Sequence, residues 1–253
     1  MTNTIDTATL IKGLVDPDQN VRREAAIALG GVRTPQAAGA LVARLGAEQD
    51  CFVREALTWA TVHAGEVAVP GVLDQLTSPD ASARMQAAHV LSKIADPAHA
   101  EHIIPVVADA DAQVAVKAYR AAANTRRAEV VPALIARLAD GDLEQRDALN
   151  SAFATLGEVA LDDLVTALGD ARPAARAHAA DALGHVGSPT ADAAVDALSG
   201  LLGDADADVR LAAVSALGEL DRQAAVDALT RAAASDDAVV AGELVFAPLV
   251  LVQ

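Results

Sequence analysis

Three residues invite a chemical reading first. His178, Asp181 and His185 fall at i, i+3 and i+7, roughly along one face if the segment is helical. Neutral imidazoles and a carboxylate are zinc-type donors. Two helical turns, about 10 Å of axis, separate the ends, so a single ion bridges them only with difficulty. His99 and His102 lie closer together, in AHAEH, beside an expected helix start. The one cysteine, Cys51, also precedes an expected helix start, where a thiol pKa can fall; a lone cysteine is more often inert. There is no Gly-rich phosphate loop, no G-x-S-x-G and no CxxC pair. The expectation is a chain with no catalytic residues, no metal and no cofactor.

The elements that would position such residues follow from composition. Apolar residues make up 53% of the 253, yet aromatics only 2%. A core with so few rings must be built from Ala, Leu and Val. Small side chains let helices approach closely, and Ala is the best helix former. Strands favour β-branched and aromatic residues, so composition points to an all-α chain. The net charge of −16 repels phosphate backbones and argues against nucleic-acid partners. A single cysteine excludes an intrachain disulfide and fits a reducing, cytoplasmic setting. The N-terminal MTNTIDTATLIKGLVDPD has neither a basic start nor an apolar run, so it does not read as a secretory signal. The longest apolar stretch, Leu244 to Val252, is too short to span a membrane.

One phrase recurs: an apolar end, an Asp-rich turn, then V-R-x-x-A-x-x-A-L. It reads LVDPDQNVRREAAIAL from Leu14, LTSPDASARMQAAHVL from Leu76 and LGDADADVRLAAVSAL from Leu202. The anchor falls at Val21, Val53, Ala83, Val114, Gln145, Ala175 and Val209, at intervals of 30 to 34 residues. A degraded eighth copy follows near Val239. Such periodicity is the signature of a repeat array. Asp18, Asp50, Asp80, Asp111, Asp142 and Asp206 sit three residues before an anchor, in N-cap position. Each copy therefore reads as two helices, the second opening at the Asp turn. Gly157 and Gly187 close second helices, and Pro70, Pro105 and Pro132 fall inside first helices. The whole chain, 1–253, reads as one repeat domain, with 236–253 as a degenerate C-terminal cap.

This phrase resembles the HEAT repeat, especially the short form of phycobilin lyase subunits: a Pro in the first helix, Asp in the turn, Val-Arg opening the second helix. The resemblance implies an all-α solenoid, a right-handed superhelix of about eight helical pairs whose second helices line a concave face. It also implies a ladder in which Arg22, Arg54, Arg84, Arg146, Arg176 and Arg210 pair with Asp18, Asp80, Asp111, Asp142 and Asp206. Ala115 and Arg172 break that ladder. Deoxyhypusine hydroxylase, a HEAT-like enzyme, holds two irons with His-Glu pairs, and no His-Glu dipeptide occurs here.

Positions two, three, six and ten residues after each anchor are expected to face outward. They place Trp59, His63, Met85, His89, Lys93, Lys117, Arg120, Asn124, Ser151, Asp181 and His185 on the concave face as partner-binding candidates, with Gln86 and His178 beside them. Phe52, Tyr119 and Phe153 read as packing. An aromatic and neutral-to-basic patch in so acidic a chain suits an interface hot spot. The expected function is a scaffold or adaptor that binds another protein or peptide segment. The alternative is a subunit of a lyase-type or cofactor-modifying enzyme. After Pro248, the apolar Leu249 to Val252 reads as a fold-back cap or a self-association surface.

Overall fold

The computed structural model describes residues 6–220, together with 223, 225–227 and 230. The expected cap at 236–253 and the apolar tail lie outside the described residues. Among the described residues there is no strand. The chain divides into two compact units, residues 1–121 and 122–253, where the repeat pattern had suggested a single domain.

Unit 1 holds α1 (Thr7–Gly13), α2 (Gln19–Gly30), α3 (Pro35–Leu45), α4 (Cys51–Ala64), α5 (Val69–Gln75), α6 (Ala81–Ile94), α7 (Ala100–Ile103) and most of α8 (Ala112–Asn124). Two layers result. The second helices α2, α4 and α6 stack on one another, and the first helices α1, α3 and α5 do the same behind them. Unit 2 repeats the plan with α9 (Val131–Ile135), α10 (Leu143–Leu156), α11 (Glu158–Ala167), α12 (Pro173–Val186), α13 (Val195–Gly200) and α14 (Ala207–Gly218). There α10, α12 and α14 form the second-helix layer, and α9 packs on α11.

Every expected Asp cap forms. Asp50 accepts from the N–H groups of Phe52 and Val53, Asp206 from Asp208 and Val209, and Asp18, Asp80 and Asp111 from their own first turns. Each such cap is worth about 0.5–2 kcal/mol. The polar anchor Gln145 is explained by a capping box. Asp142 accepts from the Gln145 N–H, and Gln145 Oε1 accepts from the Asp142 N–H. Gly157 and Gly187 end α10 and α12 at φ 58° and 68°, a region L-residues rarely adopt. Close stacking also needs Gly30: a Cβ there would lie 2.8 Å from Ala60 Cα across the α2–α4 contact.

The prolines act differently from expectation. Pro70 and Pro132 open short α-helices behind a 3-10 turn, and Pro105 sits in a 3-10 segment. Proline lacks an N–H, so it starts the helical turn rather than riding inside it. The anchors are buried except Val21, which is 39% exposed; only the short α1 precedes it. Tyr119 and Phe153 are core residues. Phe52 is not: it is 73% exposed, because it precedes the anchor and points off the packed face of α4.

The ladder exists, but in a different register. Its arginines grip carbonyls of their own turn, all but Arg146 through Nη1, as Arg22 grips Asp16 and Pro17 and Arg210 grips Asp204 and Ala205. The carboxylates they reach in the next repeat are not Asp18, Asp80, Asp111, Asp142 or Asp206, whose oxygens are spent on capping. They lie two residues earlier. Arg22 meets Glu48 at 2.8 Å, Arg84 meets Asp109 at 2.7 Å, and Arg176 meets Asp204 at 2.8 Å. Arg54 finds no such partner, since Ser78 holds the equivalent position, and it bonds only Glu48 and Gln49 carbonyls. Arg146 reaches the Ala139 carbonyl, while Asp170 is taken by Arg172. Arg172 therefore does not cap α12; it pairs within its own turn.

Glu48 is the most buried of these carboxylates, at 2% exposure. It receives both Arg22 and Arg44. Burial opposes its charge, yet Arg22, the Asp50 N–H and Arg44 prevail and lower its pKa to about 2.

Candidate partner-binding surface

In unit 1 the outward side chains of α2 and α4 enclose a cleft of about 1030 Å³. Ile27, Phe52 and Trp59 give it an apolar wall, and Arg23, Arg33 and His63 bring cations and an imidazole to its edge. Trp59 is 52% exposed and Ile27 55%. The packing of α4 dictates this. Val53, Leu57, Ala60 and Ala64 are consumed by the core, so the residue six after the anchor must point out.

Trp59 is held by two polar contacts. Its Nε1 donates to Glu55 Oε1 at 2.6 Å, one helical turn back. The Lys93 ammonium from α6 lies 5.3 Å from its ring centroid, a cation–π distance. Beside the cleft, a second hollow of about 290 Å³ lies over α4, α6 and α8. Glu55, Met85, His89 and Lys117 are among its lining residues. His89 is half-buried and its Nδ1 has no hydrogen-bond partner. Its pKa is lowered by burial first, then by Lys117, Lys93 and Arg120, with Glu55 acting the other way. Trp59, His63, Met85, His89, Lys93, Lys117 and Arg120 thus share one outward surface of unit 1.

Unit 2 gathers fewer of the expected residues. Asp181 and His185 line a hollow of about 350 Å³ with Ser215 and Glu219. His185 Nδ1 lies 2.9 Å from the Asp181 carbonyl. Desolvation raises the Asp181 pKa, against the pull of His185 and Arg146, although the side chain stays open to solvent. Ser151 is exposed and Asn124 half-buried, and neither lines this hollow.

Two residues expected outside are inside. Gln86 is buried, and so is His178 at 5% exposure. His178 Nδ1 accepts the N–H of Ala139 at 2.9 Å. Ala139 has φ 69°, which turns that N–H out of its own chain. An accepting Nδ1 places the proton on Nε2, which is buried without a partner. His178 therefore ties α12 to the turn before α10, and the suspected His178–Asp181–His185 constellation is not assembled. Among the described residues no group of three His, Cys, Asp or Glu side chains is placed to hold a metal ion, and none of the described helices is long and apolar enough to cross a membrane.

Sequence reasoning missed Phe52 and Glu48. The signal for Phe52 was present: the residue before the anchor is otherwise Asn20, Ser82, Gln113, Glu144, Ala174 or Asp208, a mostly polar series that marks an outward position. Glu48 stood where other turns carry Asp16, Asp109 and Asp204.

Paired helices in two layers, spaced by a 30-to-34-residue phrase, define an α-solenoid. The chain belongs to the HEAT-repeat family: the HEAT repeats model matches residues 6–61 and 161–247, more than half of its length. No curated protein matches it. Among solved structures it is similar to Kap95p, in a complex whose formation switches the loops of RanGDP. That match has 15% identity and a TM-score of 0.60 over 97% of this chain and 40% of that one. It is also similar to Kap121p, with 13% identity and a TM-score of 0.54 over 94% and 32%. The CpcE–CpcF complex of phycocyanin lyase from Nostoc matches at 22% identity and a TM-score of 0.45 over 98% and 94%. Such likenesses concern the fold.

Proposed function

We propose that this chain is a protein-binding scaffold whose unit 1 surface, formed by α2, α4, α6 and α8, holds a segment of a partner protein, with no catalytic residue of its own. One observation carries the reading. In a chain with 2% aromatics, the single Trp stands half in solvent beside exposed Phe52 and Ile27, over a cleft of about 1030 Å³. Large apolar side chains left in water beside a hollow mark interaction sites, and Trp and Arg are the residues that dominate interface energetics. Trp59, Met85 and Arg120 act as anchors, with His63, His89, Lys93 and Lys117 around them. Asn124, Ser151, Asp181 and His185 give unit 2 a secondary, more polar surface. Kap95p, similar in fold, is a protein-binding solenoid.

The test is quantitative capture from the native cell, comparing wild type, Trp59→Ala with Arg120→Ala, and Ser151→Ala with His185→Ala. The expected result is loss of the captured partner in the first variant and retention in the second. Equal recovery by all three overturns the assignment of this surface. A visible chromophore in the purified protein favours a cofactor-handling subunit instead.

A further inference from the structure

Ion pairing inside unit 1 is uneven in a way that selects a ligand. Most arginines at the turns meet a carboxylate, as Arg22, Arg44 and Arg84 do, while Arg54 bonds only backbone carbonyls. On the outward surface the bias reverses. Lys93, Lys117 and Arg120 form no ion pair among the described residues, and neither do Arg23 and Arg33 at the cleft. The two carboxylates that line the cleft have other hydrogen-bond partners. Asp50 accepts from the backbone of α4, and Glu55 accepts from Trp59. Two of the three lysines of a −16 chain thus stand on this surface without a carboxylate ion-paired to them.

We propose that this surface takes an acidic protein segment carrying one large apolar side chain. The apolar group enters the cleft against Trp59 and Phe52, and the flanking carboxylates meet Lys93, Lys117 and Arg120. The inference rests on reading this surface as a docking site, and names its ligand. Two physical arguments support it. Around His89, whose proton is disfavoured first by burial, Lys117, Lys93 and Arg120 act together against Glu55 alone, so a carboxylate placed there relieves repulsion among like charges. Charge complementarity also confers selectivity. The acidic chain as a whole repels an acidic segment, and the outward surface of unit 2 sets Asp147, Asp181 and Glu219 against the single cation Arg146, so it favours such a segment less. A basic segment would meet uncompensated cations here and be turned away.

Trp59 supplies the measurement, since it is the only Trp in the chain and stands inside the site. The full chain is titrated with three short synthetic peptides lacking Trp. The first has Glu and Asp around a central Leu-Phe pair; the second replaces the acids by Lys; the third replaces Leu-Phe by Ala-Ala. Trp59 emission is followed at low and high salt. The expected result is a saturable change with the acidic Leu-Phe peptide and roughly tenfold or weaker binding of the other two. High salt weakens the first interaction, as screening of exposed charges requires. Lys93→Gln with Lys117→Gln weakens it about tenfold, with unchanged helicity by circular dichroism. Preference for the basic peptide, indifference to the lysine substitutions, or no binding of any peptide overturns the proposal. If the peptides fail while Trp59→Ala with Arg120→Ala still abolishes partner capture, the docking surface stands and only its acidic ligand is refuted. If both experiments fail, both fall.

Discussion

Units 1 and 2 are built from the same repeat, yet they solve two problems differently. To lock neighbouring repeats, unit 1 buries a carboxylate, Glu48, under two guanidiniums, whereas unit 2 buries a neutral imidazole, His178, against a backbone N–H. Toward solvent, unit 1 shows Ile27, Phe52, Trp59 and free cations, and unit 2 shows Asp147, Ser151, Asp181 and Glu219. The positions used for packing are nearly interchangeable between the units; the positions left over are not. Packing sets the fold, and function is written in what packing leaves free.

The largest test of this contrast is Glu48→Gln. It leaves Arg22 and Arg44 charged and unpaired beside a buried amide, and is expected to cost on the order of 3 kcal/mol. Asp204→Asn in unit 2 removes a single, more open pair and should cost less, about 1 kcal/mol. Chemical denaturation of both variants checks the order, and equal losses would erase the distinction between the two locks.

Acid provides the same test without mutation. The Glu48 pKa falls from 4.5 unfolded to about 2 folded, so its stabilisation is complete above pH 4.5 and disappears as pH drops toward 2. His178 acts in a separate window. Its folded pKa lies below the ordinary 6.5, chiefly through burial, so stability is full above about pH 6.5 and declines as acid protonates it. Hydrogen exchange across a pH series should show unit 2 loosening first, as pH falls below 6.5, and unit 1 only below 4.5. Simultaneous loosening would refute this ordering.

His178→Ala should cost about 2 kcal/mol, the price of an orphaned Ala139 N–H and a small cavity. His178→Asn, which keeps an acceptor near Nδ1, should cost less and remove the upper pH step. Thermal melts at pH 7.5 and 5.5 separate the two. The smallest effect belongs to Lys93→Ala, which removes a half-exposed cation–π contact worth about 0.5–1 kcal/mol. It should shift Trp59 emission while leaving the melting temperature nearly unchanged.

Much of this was legible in the sequence. The anchor spacing and the capping Asp residues fix the helical pairs, because caps and apolar periodicity are local properties. The ladder was misregistered since turns such as DPD and DAD offer two carboxylates. Only the folded geometry shows that the second caps its own helix and leaves the first free for the neighbouring repeat. His178 was misplaced because the third position after the anchor lies at the edge of the packed stripe. Ala56, Ala148 and Ala212 at that position had already hinted at crowding. The outward placement of Trp59 followed from the polar series His89, Arg120, Ser151, Asp181 and Ser215 at its position. The division at residue 121 leaves no trace in the repeat, since the helix that carries it reads without interruption.

The absent rung at Arg54 has a mechanical consequence. Cross-repeat ion pairs bolt the first repeat to the second and the third to the fourth, but the second and third are joined on that edge only by a Ser82 hydroxyl donating to the Gly46 carbonyl. That joint is the one of the three with no cross-repeat ion pair among the described residues, so it is expected to twist most readily. The contact between Lys93 and Trp59 spans the same joint, so a guest bound across those two side chains would act as a splint where the ladder has a gap.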